Sequence, residues 1–234
     1  MTLSSSIFDK LPELIPDTIG SLQSVAECIW LSGWAEANAG NVSINISEDL
    51  KNSAPELISS ESTYYLVSKT GSRYRQMKDA PLRSLVLIDE NGGEIAVYPE
   101  NAKPTSEWIS HLEIQRNLIR QGSDLRVVLH THPTELVALS GLPIYSTGEY
   151  LHTRLFDLLP ELRFYIPEGI AFCEYAIPGT EDLSRITMKR MENKKAIIWQ
   201  KHGLVCLGKT PDEALDYTEL VNKAAKVWFL TSEK

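Results

Sequence analysis

Residues 126–136 read RVVLHTHPTEL, an apolar run that ends in two of the five histidines of the chain. An extended strand sends residues i and i+2 to the same side. His130 and His132 therefore face one object, with Thr131 turned away. That object is a metal, a substrate or a neighbouring polar group. The spacing predicts a strand over 125–132 handing over to a helix near Pro133.

The flanking sequence supplies the rest of a sheet. From Thr18 to Trp34, the residues Ile19, Leu22, Val25, Ala26, Ile29, Trp30 and Gly33 recur at helical spacing. The pattern breaks at EANAGN and turns to alternation, with Val42, Ile44 and Ile46 on one face and Ser43, Asn45 and Ser47 on the other. Residues 48–60 read as a polar loop. YYLVS reads as a strand, and SLVLIDENGGEIAVYP as a hairpin turning at Asn91-Gly92-Gly93. A helix is predicted from about Ser106 to Arg120, with Trp108, Leu112 and Ile119 on one face. Further helices are expected over 150–159 and after Pro178-Gly179-Thr180, with strands at AFCEYAI, AIIWQ and GLVCLG. Thr210-Pro211-Asp212-Glu213 is a capping box that opens a closing helix, with Ala214, Val221, Ala225 and Trp228 on its buried face. With no internal repeat or linker, the expectation is one domain over residues 1–234. Its class is mixed α/β (α+β), with a central, largely antiparallel β-sheet flanked by helices.

The bulk numbers agree with a globular chain. It has 234 residues, 43% hydrophobic and 23% charged, with a formal charge of −8. Such acidity argues against a nucleic-acid partner. Cys28, Cys173 and Cys206 form no Cys-x-x-Cys pair and are expected to be three buried thiols in a reducing cytosol. No secretory signal pattern opens the sequence, and no apolar run is long enough for a membrane span, so a cytoplasmic location is expected.

The remaining chemistry gathers in short motifs. The candidates for a third partner are His111, His152 and His202; His202, in IIWQKHGLVCLG, sits at the end of a strand, and Gly203 lets the backbone there turn tightly. Three neutral imidazoles with positions left open make a zinc site of the catalytic kind. In KPTSEW, Thr105 or Ser106 is expected to cap the helix, leaving free N–H groups that can hold a phosphate. Glu107 lies in the same turn, where the helix dipole also favours a carboxylate. His111 shares the face of Glu107 and either orients that carboxylate or fills a polar gap. EANAGN and KTGS are small-residue loops that fit either ordinary turns or an anion cradle.

In this order, GWAEANAGN, SKTGSRY, KPTSEW, HTHPTE and KHGLVCLGKTPDEAL resemble the class II aldolase and adducin family over nearly the whole chain. The long loop before YYLVSKTG and the segment IPEGIAFCEYAIPGTED favour the branch acting on rhamnulose phosphate over the one acting on fuculose phosphate. The resemblance implies a zinc ion held by His130, His132 and His202, with Glu107 as the acid/base residue. It implies a phosphate pocket from Asn38, Gly40, Asn41, Thr70, Gly71, Thr105 and Ser106. It implies retro-aldol cleavage of L-rhamnulose 1-phosphate to dihydroxyacetone phosphate and L-lactaldehyde. It further implies a cyclic homotetramer with active sites at subunit interfaces, to which Glu161 contributes from the adjacent subunit. Other readings on the same scaffold are a methylthioribulose-phosphate dehydratase, a pentulose-phosphate 4-epimerase and a non-enzymatic interaction module of the adducin-head kind. Glutamate in PTSEW argues against the epimerase, and the complete histidine set argues against the module.

Overall fold

Alternation in the apolar segments becomes an eight-stranded sheet in the computed structural model, which describes residues 3–145 and 148–231. The strands are β1 (Asn41–Asn45), β2 (Ser62–Ser68), β3 (Leu85–Asn91), β4 (Glu94–Tyr98), β5 (Val127–Thr131), β6 (Ile170–Cys173), β7 (Ala196–Trp199) and β8 (Gly203–Gly208). Their spatial order is β4-β3-β2-β1-β5-β8-β7-β6. Every neighbouring pair is antiparallel except β6 and β7. The fold is thus mixed α and β, with a largely antiparallel central sheet between helices.

The helices are α1 (Leu3–Leu14), α2 (Pro16–Leu31), α3 (Ser47–Ser53), α4 (Tyr74–Met77), α5 (Pro81–Ser84) and α6 (Trp108–Arg120), followed by α7 (Thr134–Ser140), α8 (Glu149–Leu158), α9 (Leu162–Tyr165), α10 (Glu181–Met191) and α11 (Pro211–Thr231). Strand parity decides which helix each side chain meets. Val127 and Leu129 of β5 join Leu204 and Cys206 of β8 in the larger core beneath α1, α2, α7, α8 and α11. Val128, Val205 and Leu207 point the other way, against Ile114 and Leu118 of α6 and Leu183 and Met191 of α10. His130 has the parity of Val128, so it lies on the α6 side, while Thr131 lies on the other. The polar face of β1 is covered too: Ser43 is fully buried and Asn41 nearly so.

Several expectations change under tertiary packing. Residues 48–60 are not simply a loop, for α3 and a 3-10 turn at Pro55–Leu57 occupy much of the segment. Leu50 is buried there, and Asp49 accepts hydrogen bonds from Thr18 Oγ1 at 2.9 Å and Arg126 Nη1 at 2.6 Å, which fasten the turn to its surroundings. Trp30 and Ile119, expected on buried stripes, are 42% and 47% exposed because their helices bury narrower faces. Cys28 is likewise exposed, while Cys173 and Cys206 are buried as expected. The strand at AFCEYAI stops at Cys173, since its partner β7 pairs with it no further than Trp199. The capping box of α11 forms with a variation. Thr210 Oγ1 accepts from Glu213 N at 3.2 Å, but the Glu213 carboxylate reaches Lys209 N, one residue before the cap. Among the described residues no helix is long and apolar enough to cross a membrane.

Leu129 has no exposed surface and sits mid-strand in the sheet, so Leu129→Ala should lower unfolding free energy by about 2–5 kcal/mol. Ile119→Ala, on the exposed edge of α6, should change it by no more than about 0.5 kcal/mol. Urea denaturation of the two variants against the parent chain measures both.

Candidate active site

The ends of β5 and β8 bring the three histidines together. His130 pairs with Val205 across the β5–β8 ladder. His132 follows immediately, its N–H donating to Trp34 O at 2.8 Å. His202 sits in the short turn between β7 and β8, where Lys201 takes a left-handed φ of +59° and its N–H donates to Ser140 Oγ at 3.0 Å. The tight turn is therefore made by Lys201, and Gly203 serves a different purpose. A Cβ at position 203 would lie 2.4 Å from Thr131 O, 2.8 Å from His130 Cε1 and 2.9 Å from His132 Cδ2. Only glycine leaves room for the cluster.

Hydrogen bonds behind the rings aim them. His130 Nδ1 donates to Leu204 O at 3.0 Å, and His132 Nδ1 donates to Glu36 Oε1 at 3.0 Å. A carbonyl and a carboxylate accept only, so each neutral ring turns an Nε2 lone pair forward. Those two nitrogens stand 3.0 Å apart. His202 Nε2 lies 3.3 Å from Glu107 Oε1, and His130 Nε2 3.6 Å from Glu107 Oε2. Glu107 Oε1 is buried and has no hydrogen-bond partner in the described residues. Two Nε2 lone pairs, the His202 ring, whose Nδ1 has no partner among the described residues, and an unpartnered carboxylate oxygen thus crowd one point. Such a set fits a divalent cation, and the three histidines can hold one, their ligand atoms all lying within 4.8 Å of one another.

Electrostatics keeps the ligands ready. Burial holds His130 well below the usual imidazole range, helped by the neighbouring His132 and His202. Burial also lowers His202 to about 4. Both rings are neutral at pH 7, the form a metal binds. Burial raises the Glu107 carboxyl, outweighing its hydrogen bond from Asn41 and the nearby His132. Burial would raise Glu36 as well, but the hydrogen bond with His132 and its own backbone outweigh that and bring it down.

Beside the histidines lies a cleft of about 180 Å³. All seven residues expected in the phosphate pocket line it: Asn38, Gly40, Asn41, Thr70, Gly71, Thr105 and Ser106. Glu107, His132 and His202 complete one wall. The loops are tied to one another, for Thr70 Oγ1 donates to Pro104 O at 2.5 Å and Thr105 N to Ser68 O at 2.7 Å. The Thr70 hydroxyl is thus used between loops. Gly40, at φ +72°, packs where a Cβ would meet His130 O at 2.8 Å. The expected helix cap at Thr105 or Ser106 is displaced, since α6 begins at Trp108 with Glu107 as its cap residue. The backbone pairing of Thr105 with Ser68 pins the chain there, and a turn closed by Trp108 N and Thr105 O at 3.0 Å then delivers the carboxylate to the histidines.

Lys69 and Glu36 belong to this region without having been singled out, and Ser72, read as part of the KTGS anion loop, lines the cleft as well. Lys69 opens the KTGS motif, so the motif itself was its signal. No local spacing links Glu36 to His132. Glu161 lies apart, in a hollow with Leu159, Tyr165, Asp216, Glu219, Leu220 and Lys223. His152 lies outside the cluster: its Nδ1 accepts from Ile170 N at 3.2 Å and its ring stacks on Phe156.

Residues 21–229 match the family described as Class II Aldolase and Adducin N-terminal domain. A rhamnulose-1-phosphate aldolase of Bacteroides thetaiotaomicron is 26% identical over 239 residues, covering 95% of this chain and 88% of the relative. One from Pectobacterium atrosepticum is 29% identical over 223 residues, covering 85% and 80%. Among solved structures, the sugar-phosphate aldolase from Thermotoga maritima superposes with a TM-score of 0.80 at 29% identity, covering 94% of this chain and 98% of that one.

Two outcomes follow from the geometry. Glu36→Gln weakens the acceptor that orients His132. It should lower zinc affinity by about tenfold, the lower end for such partners because Glu36 is largely exposed, as read by competition with a chromophoric chelator. His111, fully buried and lowered to about 3 by burial, must gain a proton when the chain unfolds in acid. Its folded value lies below its unfolded one, so its contribution is complete above about pH 6.5 and is lost as pH falls toward 3. The slope contributed is up to about 1.4 kcal/mol per pH unit. Urea midpoints across this range should fall less steeply in His111→Gln than in the parent chain.

Proposed function

This chain belongs to the class II aldolase and adducin family and is a lyase, and from that premise we propose that it is a zinc enzyme acting on L-rhamnulose 1-phosphate. The reaction is reversible cleavage between C3 and C4, giving dihydroxyacetone phosphate and L-lactaldehyde. The observation that carries the reading is the convergence of His130, His132, His202 and Glu107 on one point beside a phosphate-sized cleft. The named relatives supply the sugar phosphate.

Zinc held by the three histidines would supply a Lewis acid that polarises the ketose carbonyl and stabilises negative charge on the three-carbon fragment. The chain's own groups do the rest. Asn38, Gly40, Asn41, Gly71, Thr105 and Ser106 seat the phosphate, Thr70 shapes the pocket by tying its loop to Pro104, and Lys69 adds a positive charge to that wall. Glu107 Oε2 is held by Asn41 Nδ2 at 2.6 Å, which leaves the unpartnered Oε1 to move the proton. It takes the C4 hydroxyl proton as the C3–C4 bond breaks and returns one to C3, so no net proton is gained or lost. Its raised pKa suits a group that must carry a proton in one half of the cycle.

The assembly we infer is a cytoplasmic homotetramer in which residues 1–234 form one domain per subunit. Glu161 then serves the active site of the adjacent subunit. In support, the neighbouring Phe164 and Tyr165 are 83% and 50% exposed, an apolar surface that contact between subunits would cover.

Zinc-loaded protein given L-rhamnulose 1-phosphate, with released dihydroxyacetone phosphate coupled to a reductase, should show steady cleavage. Glu107→Gln should lower kcat by about 10²–10⁴-fold with zinc content unchanged. Activity no greater than that of His130→Ala would overturn the aldolase reading, and faster cleavage of L-fuculose 1-phosphate would overturn the substrate.

A further inference from the structure

Behind Glu107 and Asn41 runs a buried chain of polar side chains, His111, Ser43 and Gln115, that the proposed chemistry leaves unused. Gln115 Nε2, with two hydrogens, faces three acceptors and shares one hydrogen between two of them: Ser43 O at 3.3 Å, Arg126 O at 3.0 Å and Ser43 Oγ at 3.1 Å. Ser43 Oγ lies 2.9 Å from His111 Nδ1, and His111 Nε2 lies 2.6 Å from Asn41 Oδ1. Asn41 Nδ2 then donates to Glu107 Oε2 at 2.6 Å. Each of these five residues is at most 6% exposed, so no bulk water competes for their bonds.

The chain has one consistent polarity. Two backbone carbonyls face the Gln115 amide, so its nitrogen must point at Ser43. The Ser43 hydroxyl, already accepting from Gln115, donates to His111 Nδ1. The neutral ring then carries its proton on Nε2 and donates to Asn41 Oδ1, which leaves the Asn41 NH₂ facing Glu107. Reversing the order would turn His111 Nδ1–H toward Ser43 and leave the serine proton with no described acceptor in a dry site, a costly arrangement.

We propose that His111 is a positioning residue: by donating from Nε2 it locks the Asn41 amide, and through it holds the Glu107 carboxylate with Oε1 toward the histidine cluster. Asn41 also lines the phosphate cleft, so the same lock ties the acid/base carboxylate to the wall that seats the phosphate. The inference rests on Glu107 being the acid/base residue, as proposed above.

Two variants separate positioning from bulk. His111→Gln puts an amide nitrogen where Nε2 stood, whereas His111→Asn reaches only the place of Nδ1, keeping the Ser43 contact and losing Asn41. With zinc content matched, His111→Asn should lower kcat for L-rhamnulose 1-phosphate by about 10–100-fold, with a smaller change in KM. His111→Gln should recover most of that loss. Equal kcat in the two variants, or a loss in each that follows its fall in Tm, overturns the proposal.

A measurement free of catalysis stands beside this. In ¹⁵N NMR of the parent protein, His111 should carry its proton on Nε2, and the Asn41 side-chain NH₂ should give one slowly exchanging pair. A proton on Nδ1 overturns the proposal, even where both variants fail to fold. If the protein cleaves no sugar phosphate but these signals are present, the functional reading fails while the locked orientation stands.

Discussion

Two imidazole nitrogens held 3.0 Å apart, with both rings already donating from behind, are the constraint on which this structure turns. Two lone pairs turned toward each other at that distance repel, and the unpartnered Glu107 oxygen lies beside them. A cation relieves the conflict, and the framework maintains it. The β5–β8 register sets His130 opposite Val205, Leu204 O fixes its tautomer, and Gly203 gives the rings space that any side chain would take. Ligands held in place by register and by hydrogen bonds behind the rings are what a preorganised metal site requires.

Helix α6 serves the same centre from the opposite direction. Its first residues follow a segment pinned to β2, so Glu107 arrives at the histidines from a fixed direction. Its later turns cover the polar face of β1 with His111 and Gln115. An ordinary antiparallel strand would leave that face to water. Here Ser43 and Asn41 are buried at the cost of desolvation and recover it through hydrogen bonds that end on Glu107.

Much of this was legible in residues alone. Period-two spacing put His130 and His132 on one side, and alternation in β1 separated Val42 and Ile44 from Ser43 correctly. The loops EANAGN, KTGS and KPTSEW were chosen for small, left-handed or hydroxyl residues, and the fold brings all seven of their named positions to one cleft. What stayed hidden depends on distance in the chain. Glu36 meets His132 across 96 residues, and Ser43 meets His111 across 68, so no local pattern could pair them. Helix boundaries slipped for a related reason. A backbone bond from Thr105 to Ser68 delayed α6, and burial of Leu50 turned an expected loop into α3. Trp30 and Ile119 show the opposite failure, since apolar spacing cannot say how wide a face the neighbouring helices will cover.

The most direct test of the metal centre is zinc-edge X-ray absorption on protein loaded with one equivalent of zinc. Scattering from three imidazoles is the result the geometry predicts, falling to two when His202 is replaced by alanine. Fewer than three imidazoles in the parent protein, or the same spectrum after His202→Ala, would contradict the account.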